Sequence, residues 1–325
     1  GGGGGGAGDP GNFFVGQQDG VSQTHSTGVN YVGQWGKTLA ASSSLFLNRS
    51  DTDNTQDVSR VYIPAQDSLA GYAQFGTTAV RNDNLRYDGR FEFTPDSANS
   101  VIFTPRVYLQ GTRQSSDVDG SNGSIAGNLL NASQSRTTNH TDGDNLSSRL
   151  VLRHRFPKRG RNVSADLQIG RQLKDGDASQ YALTDTYKGM ATLSQLLDQR
   201  SHTHSLTRTA SARLAWTEPL VNRLQAQFFY NPSLSRGSSN VLADSLDPIA
   251  HTYTKPVTSL SNRYETENLQ QSGGASVLWS NGTWRVLTTG AFQQARQVLA
   301  GPGADRFDFG AFFADQDRQI GPTHP

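Results

Sequence analysis

The sequence predicts an all-β chain: an antiparallel up-and-down transmembrane β-barrel or an open segment of one, with about ten strands in five hairpins. Three observations carry that expectation. Apolar residues recur at every second position over runs of strand length. Turn formers (Gly, Asp, Asn, Ser) are abundant, whereas glutamate is confined to Glu92, Glu218, Glu265 and Glu267. Short turns also alternate strictly with long polar stretches, and soluble domains seldom contain several structureless loops beyond about 12–15 residues.

The first hairpin starts with Val29, Tyr31 and Trp35, alternating with Asn30 and Gln34. Gly36 and Lys37 turn it into Leu39, Ala41, Leu45 and Leu47. The second hairpin has the cleanest pattern. Leu85, Tyr87, Phe91 and Phe93 form one set with Gly89, and Arg86, Asp88, Arg90 and Glu92 form the other. In a strand these sets point to opposite faces; in a helix both would scatter around the circumference. Residues 94–100 supply turn chemistry, and Val101, Phe103, Val107 and Leu109 resume the apolar side opposite Thr104, Arg106, Tyr108 and Gln110. Pro105 cannot donate a ladder hydrogen bond and is the residue least suited to this strand.

In the third hairpin Leu146, Leu150, Leu152 and Phe156 alternate with Ser147, Arg149, Arg153 and Arg155. Residues 157–160 lead it into Val163, Ala165, Leu167 and Ile169. The fourth joins Leu206, Ala210, Ala212, Leu214 and Trp216 to Leu224, Ala226, Phe228 and Tyr230. The fifth joins Ala275, Val277 and Trp279 to Trp284, Val286 and Phe292. Each apolar run approaches the 9–11 residues that a tilted membrane strand needs.

Polar stretches around 50–83, 111–144, 171–202 and 233–264 separate the hairpins. They are expected to be long extracellular loops, with short periplasmic turns at the other end, as in bacterial outer-membrane barrels. Trp35, Phe93, Phe156, Trp216, Trp279 and Trp284 all sit beside the short turns, where an aromatic girdle belongs. The expected organisation is a glycine-rich linker or loop over 1–27, a barrel segment over 28–296 and an irregular tail over 297–325.

Bulk properties agree. A mean hydropathy of −0.58 and the lack of any run of about 18 apolar residues exclude a transmembrane helix. Neither excludes a barrel, because only alternate residues need face lipid. The chain has no cysteine, which removes disulfides, zinc–thiolate clusters and thiol nucleophiles. A net charge of +1 gives no footprint for nucleic acid.

The hairpins resemble the barrel region of TonB-dependent-receptor-like outer-membrane proteins of the Bacteroidetes type. The resembling segments are GVNYVGQWG at 28–36, RFEFTPDS at 90–97, NSVIFTP at 99–105, NLSS at 145–148, RHRF at 153–156 and WTEPL at 216–220. The resemblance covers roughly residues 10–300, in matching order. The resemblance implies a place in the cell outer membrane, contact with its lipid, and energy-coupled import of a bulky nutrient by the intact parent. It also implies a plug domain and a TonB-type energy-coupling protein as partners of that parent. The chain reads as a fragment, and its tail departs from the family's usual aromatic barrel end.

Two sets of residues follow as candidates. Lumen-facing residues are expected at Arg86, Asp88, Arg90, Glu92, Arg106, Arg149 and Arg153, with Asp88 opposite Arg106 and Arg86 opposite Tyr108. They would line a substrate path or, on the plainer reading, neutralise the wall. Lipid-facing residues are expected at Leu85, Tyr87, Phe91, Phe93, Val101, Phe103, Leu150, Leu152, Leu167, Leu214, Trp216 and Phe228.

No cofactor or catalytic site is expected. The acidic groups Asp51, Asp53, Asp57 and Asp117, Asp119 lack the EF-hand glycine and glutamate, with Asn122 and Asn128 in those places. They are expected to be solvated loops. His202 and His204 would share a strand face, but no third zinc ligand is identifiable in the sequence. A zinc-protease helix motif and a nucleophile elbow are both absent. The alternatives are a barrel with a structural, adhesive or secretion-associated role, and a soluble secreted β-sheet binding protein.

Overall fold

The computed structural model describes residues 20–62, 69–124, 126–281, 284–301 and 304–322; the opening glycine run lies outside them. Among the described residues there are twelve strands and no helix. They are β1 (Val21–Trp35), β2 (Leu39–Val61), β3 (Leu69–Phe93), β4 (Asn99–Ser124), β5 (Leu129–Arg155) and β6 (Asn162–Lys188). Then come β7 (Ala191–Val221), β8 (Leu224–Asp247), β9 (Thr252–Pro256), β10 (Asn262–Ser280), β11 (Trp284–Gly301) and β12 (Ala304–Pro322). All belong to one antiparallel sheet in the order β1 to β8, β10, β11, β12, with the short β9 attached beside β8. This path does not join β12 back to β1, so the sheet is open.

The ten expected strands are all present, but the expected long loops are not loops. Most of their length is strand: β7 alone has 31 residues. At its far end β6 turns into β7 through Gly189 and Met190 alone, Gly189 with a φ of +63°. The physical reason is pairing. A polar segment beside another polar segment can satisfy every backbone group in a ladder, without any apolar face. Side-chain rungs add to it: Thr112 Oγ1 donates to Asn82 Oδ1 at 2.7 Å, Thr78 and Ser116 bond at 3.0 Å, and Asn122 donates to Asn131 at 2.8 Å.

Described residues 21–27 and 297–322 also differ from expectation. Strand β1 begins at Val21, inside the stretch read as a linker. The tail read as irregular from 297 continues β11 and then forms β12, which pairs with β11 from Trp284↔Pro322 to Gly301↔Ala304. Phe307, Phe309, Ala311 and Phe313 alternate with Arg306, Asp308 and Gly310, the same two-residue period that marks the other strands.

Pro105 is accommodated by its neighbours. It stays paired with Ser148 of β5, while the β3–β4 ladder skips Gly89 and Arg90 opposite Pro105 and Thr104. A Cβ on Gly89 would come within 3.1 Å of the Pro105 ring, so glycine leaves the room that the proline takes. Pro232 repeats the arrangement: it pairs with Gln271 of β10, and the β7–β8 ladder skips Ala212 and Arg213.

Candidate functional site

Strand register divides the side chains into two faces, because residues paired across an antiparallel ladder share a face. One line of partners crosses the sheet through Trp35, Leu39, Phe93, Val101, Leu152, Ala165, Leu214, Tyr230, Gly273 and Phe292. A parallel line runs through Ala41, Phe91, Phe103, Leu150, Leu167 and Ala212. Neither contains a charge. All twelve residues expected on the apolar side, Leu85, Tyr87 and Phe228 included, lie on this face. Phe91 and Phe103 stack across the β3–β4 pair with ring centroids 6.3 Å apart.

Among the described residues no second layer covers this face. Phe93, Phe103, Leu152, Leu214, Trp216, Phe228 and Phe292 are all exposed, and no large side chain is fully buried among the described residues. A soluble sheet would bury such a face against another layer.

The belt has defined limits. At one end Trp35, Phe93, Trp216, Trp279 and Trp284 stand beside the short turns on the apolar face. Phe156 packs on Trp216 at 5.1 Å, and Tyr31 accepts a 2.5 Å hydrogen bond from the Trp35 indole. At the other end charges interrupt the same face: Arg49 above Leu47, Asp83 above Leu85, and the register line Arg171, Arg208, Arg236, Glu267. Arg236 pairs with Glu267 at 2.8 Å. The apolar run between these limits, such as Leu39 to Leu47, covers nine residues. At about 3.4 Å per residue and a tilt near 40°, nine residues stand roughly 23 Å tall.

The opposite face is polar, and the seven candidates Arg86, Asp88, Arg90, Glu92, Arg106, Arg149 and Arg153 all lie on it. The register puts Asp88 opposite Arg106 and Arg86 opposite Tyr108. Asp88 collects the group: it accepts from Arg86 Nε at 2.7 Å and from the Tyr108 hydroxyl at 2.8 Å, with Arg106 Nε at 3.6 Å. The Arg86 guanidinium also lies over the Tyr108 ring, 4.9 Å from its centre. Arg90 pairs with Glu92 at 2.9 Å, and Arg149 holds Asp166 through two donors, Nε at 2.8 Å and Nη2. Nine of the eleven buried side chains among the described residues, including Asn82, Ile102, Val151 and Ser276, lie on this face; Ala41 and Ala226 are the exceptions. The polar side is thus the more enclosed one.

Beyond Trp216 at the short-turn end, Glu218 accepts from Arg161 at 2.7 and 2.8 Å and from Lys158 at 2.7 Å. Those hydrogen bonds hold its carboxyl down to about 2. They tie the turn after β5 to the end of β7. The acidic groups expected in loops sit instead on paired strands, Asp51 bonded to Arg81 at 2.6 Å and Asp117 to Arg136 at 2.5 Å. The carboxylates of Asp51 and Asp117 therefore have arginine partners within the sheet.

Among known proteins, no family model, no curated protein and no solved structure matches this chain. Its chemistry has to be read from the two faces alone. Among the described residues no group of three or more His, Asp or Glu is placed to hold a metal ion. Sequence reasoning found the seven charged candidates but missed Asp166 as the partner of Arg149, and missed the separate cluster of Glu218 with Lys158 and Arg161. It also missed the charges that end the belt. The available signal was parity, since Arg171, Arg208 and Arg236 continue the apolar set's two-residue step.

Proposed function

We propose that the chain is wall of an outer-membrane β-barrel, its apolar face in lipid and its polar face lining the interior of a receptor-like transporter. One observation carries this reading. An uncovered apolar belt of about membrane height crosses ten strands, backed by a charged, hydrogen-bonded face. The open sheet suits a segment whose missing neighbours would close the barrel and cover both edges. The segments resembling TonB-dependent-receptor-like proteins, GVNYVGQWG at 28–36 and RFEFTPDS at 90–97 among them, fall on this belt and its turns and support the transporter reading. In the intact parent a plug would gate the lumen, a TonB-type protein would couple energy, and the ligand would pass along residues such as Arg86, Asp88 and Arg149.

The four tryptophans make the membrane reading testable without mutation, because all of them lie on the apolar face at the short-turn end. The chain reconstituted into phosphatidylcholine vesicles should lose tryptophan fluorescence to lipids brominated near the headgroup. Lipids brominated at the acyl-chain ends should quench less. Unquenched emission at the wavelength of water-exposed indole would refute the reading.

A further inference from the structure

The two histidines that share a strand face lie where β7 has left the apolar belt, four and six residues beyond Arg208. Register places His204 opposite Asp175 and His202 opposite Asp177, both aspartates on β6. Each imidazole is bonded to its own carboxylate through the same nitrogen: His204 Nδ1 to Asp175 Oδ2 at 2.7 Å, and His202 Nδ1 to Asp177 Oδ1 at 2.9 Å. No described residue is bonded to either Nε2. Both rings are close to half exposed, and His202 borders an open groove of about 690 Å³.

This is the arrangement that metal-binding histidines use. A carboxylate that accepts the Nδ1 proton fixes the tautomer, orients the ring and raises the basicity of Nε2. Two such rings separated by one residue on a strand present two lone pairs on the same side. We propose that His202 and His204 form a two-imidazole site for zinc(II), oriented by Asp177 and Asp175, with water completing the coordination. Two protein ligands make a labile site rather than a structural one, since structural zinc takes four. The site is distinct from the polar-face charges, and it stands whether or not the belt lies in lipid. His140 does not join it: its Nε2 pairs with Asp142 at 3.1 Å, and Asp177 separates it from His202 along the register line.

The test uses the full untagged chain and zinc(II) alone, in a buffer that does not chelate. Calorimetric titration should show one site that weakens at least tenfold in His202→Gln and in His204→Gln, and by about tenfold in Asp175→Asn. His140→Gln and His25→Gln should leave it unchanged. A second readout needs no variant. Carbethoxylation followed by mass spectrometry should show zinc shielding His202 and His204 in the unmutated chain while His140 continues to react. Equal affinity in the unmutated chain and both histidine variants would overturn the proposal, and so would carbethoxylation of His202 and His204 at the same rate with and without zinc.

Discussion

Leu150→Arg is expected to destabilise the lipid-inserted chain by about 2–4 kcal/mol, the cost of arginine at mid-depth on the lipid face of a barrel. Leu150 lies between Phe103 and Leu167 in the middle of the uncharged belt. Arginine there has no described carboxylate within its own register line and would have to stretch toward the belt's edge. The matched control is Ser211→Arg on the polar face, flanked by Gln168 and Ser233. That change should stay within about 0.5 kcal/mol, as for most solvated positions. Urea unfolding in lipid vesicles compares the two. If both variants lose the same stability, the faces have no different environments, and the belt is not in hydrocarbon.

Gly274→Val should cost about 1–3 kcal/mol through strand separation, independent of any membrane. A Cβ on Gly274 would lie 2.3 Å from the Gly290 carbonyl oxygen and 2.9 Å from Ala291 Cα. Both obstacles are backbone of the paired strand β11, so neither can rotate aside. The clash should loosen the β10–β11 ladder around Ala275↔Gly290. Gly290→Ala is the internal comparison, since a Cβ there meets nothing within 4 Å. Amide exchange over β10 and β11 should rise in the first variant and stay level in the second. Equal exchange in both would mean that the close approach does not exist.

The parts of this fold that were legible in the sequence are those where alternate residues differ strongly in polarity. Leu85 to Phe93 assigns every side chain to a face, because a one-residue slip would put Arg86 and Asp88 on the apolar side. Register then follows from one turn: with Phe93 opposite Val101, Asp88 must meet Arg106. The upper hairpins carried no such contrast. In Ser115, Ser116, Thr137 and Thr138 both faces are polar, so nothing in the local pattern separates strand from loop. What makes them strand is the neighbour they pair with, as Ser115 pairs with Thr138 and Ser116 with Thr137. The histidine site was half legible for the same reason. His202 and His204 announce a shared face by spacing, but Asp175 and Asp177 lie across the β6–β7 hairpin and join them only through its register.

The most direct test of the central claim uses the absence of cysteine from the sequence, which lets single cysteines report without background. Cysteines placed singly at Leu85, Leu150, Leu167, Leu214 and Phe228, and at Arg86, Arg106 and Arg149, would be challenged in lipid vesicles with a membrane-impermeant maleimide. The apolar-face set should stay unlabelled until the vesicles are dissolved in denaturant, while the polar-face set labels in the folded state. Rapid labelling of both sets in intact vesicles would contradict a lipid-facing belt, and the membrane-wall account would fall with it.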